Sequence, residues 1–262
     1  MVLGGMLLDE VLLLLHLLKR HFVPIKAHLK SSLVLAYAMP EEVLRPLLAP
    51  GLELDTYRGF GFLAIAMVET RDLRPAFLPA GFGLNFFLAG YRVFTRYRTQ
   101  AGRTLRGLRI LRSDTNRQSM RVFGNLLTHY GYELSRCTAR RSESIYSVEI
   151  CTPNGDADLQ VEADMSGDGS LPAGSPFPDL REARKFAGPL PFTFDYEQET
   201  HSIIRVEGVR QHWDPRPVSV AVYRNTFLER EMFRSAGATL ANAFYLENVP
   251  YSWKPGIREP LS

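Results

Sequence analysis

The chain has 262 residues, 45% of them hydrophobic and 23% charged, which is the balance of a globular protein with enough apolar mass for a substantial core. Its formal net charge of +3 is too small to mark a nucleic-acid partner. Cys137 and Cys151 have neither metal-ligand spacing nor the density of a secreted disulfide framework, so a reduced, cytoplasmic protein is expected.

From the start of the chain, residues 6–19 read as a helix that is apolar nearly all round. Its run from Val11 to Leu18 is too short to span a bilayer, and Asp9 and Glu10 stand where a signal peptide carries positive charge. Such a helix is expected to be buried against the body of the protein or a partner subunit, with interfacial membrane attachment as the alternative. An apolar strand follows and stops at Pro40. A short helix comes next, with Glu41 and Glu42 in its first turn, where acids complement the positive helix end, and Pro50-Gly51 ends it.

Beyond this, strands are predicted over residues 29–38, 60–70, 84–98, 104–113, 131–140, 143–151, 157–164, 201–209, 217–225 and 240–249. Many are β-branched or aromatic, and several alternate, as in Tyr91-Arg92-Val93-Phe94-Thr95-Arg96-Tyr97-Arg98. Asn154-Gly155 is a turn signal between two of them. A helix is predicted over residues 116–130, with Met120, Phe123, Leu127 and Tyr130 as its apolar side, and another over residues 179–186. The pattern is mostly β, one domain over residues 1–262, with an antiparallel sheet that curls on itself and a few peripheral helices.

Charge is uneven along this order. Residues 90–145 hold twelve arginines against Asp114, Glu133 and Glu143, whereas residues 149–207 hold twelve acids against Arg181, Arg184, Lys185 and Arg205. Two such stretches attract each other, within the fold or across a dimer, unless each is a solvated strand face. Lysine is scarce: Lys19, Lys26, Lys30, Lys185 and Lys254 are all there are. The excess of arginine suits bidentate contacts with carboxylates, and equally reflects coding bias.

The block Leu44-Arg45-Pro46-Leu47-Leu48-Ala49-Pro50-Gly51-Leu52-Glu53-Leu54-Asp55, with Phe62-Leu63-Ala64-Ile65-Ala66-Met67 after it, resembles the N-terminal part of the acetoacetate-decarboxylase-like superfamily, above all its uncharacterised bacterial branch. Glu247-Asn248-Val249-Pro250-Tyr251-Ser252-Trp253 is loosely similar to the end of that branch. The resemblance implies a cone-shaped, mostly antiparallel β-barrel with an enclosed pocket, in a homo-oligomer, and a small organic anion as ligand. In the decarboxylases of this superfamily a lysine amine condenses with the substrate ketone, and an adjacent lysine lowers its pKa. That pair falls within residues 112–130 here, where the sequence has no lysine; none occurs between Lys30 and Lys185. Arginine is no substitute, since it stays protonated. Lys30 matches an active-site arginine of the decarboxylases. Leu63 falls where they place a glutamate, with Glu69 the nearby carboxylate.

His129 lies near the missing lysine pair and is a candidate general base; a helix-end histidine held by the C-terminal dipole is the plainer alternative. Tyr130 is a candidate hydrogen-bond donor to a carbonyl, or a core residue. Arg112, Arg117, Arg121 and Asn125 are candidate substrate-binding groups, or a solvated face and a cap. Together with Lys30 and Glu69 they form the expected site. His21, His28, His201 and His212 lack ligand spacing, so no metal is implied, and no cofactor fingerprint appears; Gly81-Phe82-Gly83 lacks the helix such a motif needs. The expected function is a pocket protein, possible as a lyase-like enzyme on a keto acid without Schiff-base chemistry; a non-catalytic binding protein and a ligand-free structural oligomer are the alternatives.

Overall fold

The computed structural model describes residues 16–167, 169–188 and 190–261. The expected N-terminal helix and its contact with a partner subunit therefore fall, apart from His16 to Lys19, outside the described residues. Long strands come first: β1 (Ile25–Pro40), β2 (Leu52–Leu54), β3 (Phe60–Pro75), β4 (Leu84–Arg98) and β5 (Thr104–Thr115). They are followed by β6 (Tyr132–Leu134), β7 (Arg136–Arg141), β8 (Ile145–Cys151), β9 (Leu159–Asp164) and β10 (Phe192–Glu197). The remainder are β11 (Ser202–Arg210), β12 (Arg216–Pro217), β13 (Ser219–Asn225), β14 (Thr239–Trp253) and β15 (Ile257–Pro260). The described helices are short, at Glu41–Leu44, Gln118–Leu127, Leu180–Ala187 and Glu231–Arg234. None is long and apolar enough to cross a membrane.

An 11-stranded sheet has the order β14-β1-β3-β4-β5-β10-β11, and β11 pairs in turn with β14, so the pairings run round in a ring. The expected antiparallel order holds except where β5 meets β10 and β6, which are parallel steps. A 4-stranded sheet, β13-β9-β8-β7, packs on one face of this ring. Side chains alternate along each strand, so one set turns toward the small sheet and the other inward. Leu33, Leu35, Leu63, Ile65, Ala89, Tyr91 and Val93 form the first set, packed on Val148, Ile150 and Val161 in the main core.

The inward set is built of small residues, Ala36, Ala38 and Ala64, with Phe62 and Phe94. Small residues leave room, and the room is filled differently at the two ends. At one end Phe177 and Phe186 pack on Phe62 at 5.4 and 4.9 Å, Phe186 carried by the Leu180–Ala187 helix and Phe177 by the segment before it. Asp179 caps that helix, its side chain accepting from the Glu182 N–H at 2.8 Å. At the other end Phe86, Met120, Tyr130 and Tyr132 cluster, and His21 lies 5.4 Å from Tyr130.

The sequence reading differs from this structure in three places. Strands β2, β10 and β15 escaped it, since acids interrupt the aromatics of β10 and the other two are only 3 and 4 residues long. The predicted strand over residues 131–140 breaks at Ser135, whose hydroxyl bonds to the buried Asp114 at 2.9 Å. The predicted helix is shorter, and its buried side is Met120 and Gly124; Phe123 and Leu127 are exposed. A Cβ at Gly124 would lie 2.3 Å from the Tyr132 ring, so the helix seats on its glycine, the one residue that permits that approach.

Candidate functional site

The residues expected to form one site separate into several places. Lys30 and Glu69 are joined by a 3.0 Å ion pair in an open cleft of about 260 Å³, with Arg71, Asn85, Asn116 and Arg117 around them. Cys137 also lines this cleft, but burial pushes its thiol up to about 12, so it is no nucleophile there. The Gln118–Leu127 helix begins at this cleft and ends elsewhere, so His129 is carried away from Lys30. Arg121 is exposed, and Asn125 serves the fold: it donates to the Tyr132 carbonyl at 2.8 Å and accepts from the Tyr132 N–H at 2.7 Å.

Arg112 is fully engaged. It contacts Asp114 at 2.9 Å, Glu133 at 2.9 Å and Asp156 at 2.8 Å. Three carboxylates leave this guanidinium no free face for a substrate, and the Asp156 contact is one place where the basic and acidic stretches meet. Burying Arg112 and Asp114 together satisfies both, whereas either alone would be a costly buried charge.

His129 and Tyr130 lie at the end of the ring closed by residues 16–22. The Nε2 atoms of His129 and His21 are enclosed and have no hydrogen-bond partner among the described residues. Burial lowers the pKa of His129, helped by the positive charge of Lys19. Burial, with His129 next to it, lowers that of His21 to about 4. Desolvation thus outweighs the helix dipole that a helix-end histidine would feel, and both rings are neutral bases near pH 7. The segment is held by Arg20, whose Nε and Nη2 donate to the buried Glu197 at 2.7 and 2.6 Å.

Deeper in the ring are groups that the sequence reading passed over. Arg92 shares the inward face of β4 with Gly90, where a Cβ would lie 2.8 Å from Arg92 Nε. Protein surrounds Arg92, which is half-buried. Its Nε has no partner, and among the described residues Arg92 makes no ion pair. Its electrostatic neighbours are Tyr251, Tyr132 and Tyr130, which favour its charge, and Arg210, which opposes it. Arg210 also makes no ion pair among the described residues. It lies over Trp213 at 4.2 Å and donates to the Leu190 carbonyl at 3.1 Å and the Tyr251 hydroxyl at 3.4 Å.

On β10, Asp195 is 3% exposed, with Oδ2 unpartnered among the described residues. Burial pushes its carboxyl up to about 7, only partly offset by Arg109. Tyr130 has an unpartnered hydroxyl turned toward Thr193, the residue two before Asp195 on the same face, and Asp195 acts on both Tyr130 and Tyr132. Two unpaired cations, three tyrosines and one carboxyl that holds its proton to neutral pH thus share a single interior. The sequence contained a signal for it: Gly90 and Arg92 fall on the otherwise apolar inward phase of an alternating strand, and Thr193 and Asp195 do the same between Phe192, Phe194 and Tyr196.

A family model, DUF2071, described as an uncharacterized conserved protein, matches residues 26–250 of this chain. No curated protein matches it significantly. Among solved structures it is similar to an acetoacetate decarboxylase-like enzyme from Sphingomonas wittichii RW1, with a TM-score of 0.62 at 12% identity over 93% of this chain and 96% of that one. Acetoacetate decarboxylase from Legionella pneumophila gives a TM-score of 0.59 at 11% identity over 90% and 86%. The enduracididine biosynthesis enzyme MppR, complexed with pyruvate, gives 0.55 at 9% identity over 90% of each chain. Identities this low establish a shared fold and leave the chemistry to the site itself.

Proposed function

The chain belongs to the DUF2071 family and has the fold of acetoacetate-decarboxylase-like proteins, and from that premise we propose that it holds a small organic anion, a keto acid or related carboxylate, inside its ring of strands. The observation that carries this reading is the unpaired Arg92 beside the unpaired Arg210. A guanidinium does not lose its proton, so burying one without an acid costs several kcal/mol unless a ligand supplies the negative charge. Two of them, with tyrosine hydroxyls as further donors, suit a planar carboxylate.

An enzymatic role is supported by the unpaired Asp195 and Tyr130 in the same interior, titratable groups of the kind a proton-transfer site needs. His129 and His21 lie next to Tyr130 and make neutral bases available at its outer end. The open cleft at Lys30, Glu69 and Arg117 offers a second cationic surface, but Glu69 already neutralises Lys30 there, and the interior is the stronger site.

The test is calorimetric titration with pyruvate and 2-oxobutyrate, and with pyruvamide as the neutral counterpart. The carboxylates are expected to bind and the amide not to. Equal heats from acid and amide, or none from either, would overturn the reading.

Imine chemistry is not expected. Among the described residues every lysine is at the surface or half-buried, and Lys30 is paired with Glu69. Borohydride reduction in the presence of acetoacetate, followed by intact-mass measurement, is expected to show no adduct. A stoichiometric adduct on Lys30 or any other lysine would show that an amine is activated after all.

A further inference from the structure

On the reading that Arg92 and Arg210 hold a carboxylate, we propose that Asp195 and Tyr130 are the proton-transfer pair of this pocket, and that its substrate is an oxo acid with a C–H bond beside the ketone. Asp195 and Thr193 share the inward face of β10, and the Tyr130 hydroxyl is turned toward Thr193. The Asp195 Oδ2 is buried and without a partner among the described residues, and the Tyr130 hydroxyl, also buried, has Thr193 beside it. A structural carboxyl so deep would normally be tied down, as Asp114 is by Arg112 and Ser135.

Asp195 and Arg92 do not pair with each other. Tyr130 and Tyr132 stand between their fields, each influenced by both. In the proposed complex the carboxylate lies at the arginines and the far carbon reaches Asp195. The other groups acting on Asp195 are Arg109 from β5, Tyr130 and Tyr132 from the segment after the Gln118–Leu127 helix, and the apolar Ile204 opposite it on β11.

In the step itself the Asp195 carboxylate takes the proton from the carbon beside the ketone. The C–H electrons become the C=C bond of an enolate, and the ketone oxygen takes the negative charge and accepts a hydrogen bond from Tyr130. Return of the proton from the Asp195 carboxylic acid restores the ketone. No other reactant enters, and no covalent bond to the protein forms.

The test is exchange of the C3 protons of 2-oxobutyrate in deuterium oxide, followed by proton NMR with the full-length protein, with binding measured on the same samples. The wild type is expected to exchange well above the buffer rate, with a rate that rises as pH passes about 7, where the carboxylate forms. Asp195→Asn should lose at least 100-fold in rate while still binding, the range for a positioned acid–base group, and Tyr130→Phe roughly 10-fold, about that of one neutral hydrogen bond. If Asp195→Asn does not fold, the wild-type pH profile and Tyr130→Phe decide. Binding without exchange, or exchange unchanged in these variants, overturns the proton-transfer pair and leaves the anion pocket standing. No binding by the wild type overturns both.

Discussion

Replacing Arg92 with leucine is expected to stabilise the ligand-free protein by about 2–4 kcal/mol while weakening its carboxylate affinity roughly 10- to 100-fold. The two effects have one cause. The guanidinium lies among Tyr130, Tyr132, Tyr251 and the like-charged Arg210, with no ion pair of its own. Leucine removes the desolvated charge and its repulsion with Arg210, and keeps an apolar body opposite Ile110 on β5. At roughly 2–4 °C per kcal/mol for a chain this long, the melting temperature should rise by about 4–15 °C. Thermal and urea unfolding with and without saturating pyruvate give both readings. The wild type should gain stability from the ligand, and Arg92→Leu should gain little. A less stable variant would mean that the guanidinium already has a compensating partner, and the anion pocket would lose its main support. Such an exchange of stability for binding is common at functional sites.

The second expectation concerns pH. The native state holds a proton on Asp195 up to about 7, whereas the unfolded chain releases it near 3.8. Folding therefore favours proton uptake between these values, and the stability from this group is full below 3.8 and lost as pH rises through 7. The gap is worth about 4 kcal/mol. His21 runs the other way. Its native pKa of about 4, against 6.5 unfolded, gives stability that is present above 6.5 and lost as pH falls. Between pH 4 and 6.5 the two slopes oppose each other, so the wild type should look nearly flat there. Asp195→Asn removes one slope and leaves the other. Its stability relative to wild type should grow with pH, by about 4 kcal/mol between pH 4 and pH 7.5, measured by urea unfolding at several pH values. A difference independent of pH would show that Asp195 titrates normally, and would remove it as a neutral-pH proton carrier.

The clearest failure of the sequence reading was in the phase of its elements. The Gln118–Leu127 helix has apolar residues all along it, and spacing by itself pointed to Phe123 and Leu127 as its buried side. Gly124 decided otherwise, because it alone lets Tyr132 approach. The site calls had the same weakness. Lys30, Glu69 and Arg117 do meet, in an open cleft at the start of that helix, whereas His129 and Tyr130, at its end, belong to a different cluster.

The sequence by itself determined what depends on neighbouring residues and on composition. Strand alternation, the turn at Asn154-Gly155 and the lack of lysine between Lys30 and Lys185 are all readable without a fold. Which charges are neutralised is not, because partners come from distant strands. The pairing of β4 with β5 joins Tyr91 to Arg112 and then Arg92 to Ile110, skipping Leu111 at a bulge. One extra residue in β5 reverses its facing relative to β4. Arg112 pairs with Tyr91 and shares its face, where it meets Asp114 and Asp156 and is satisfied, while Arg92, the next residue after Tyr91, turns inward among tyrosines and is left with its charge unmet.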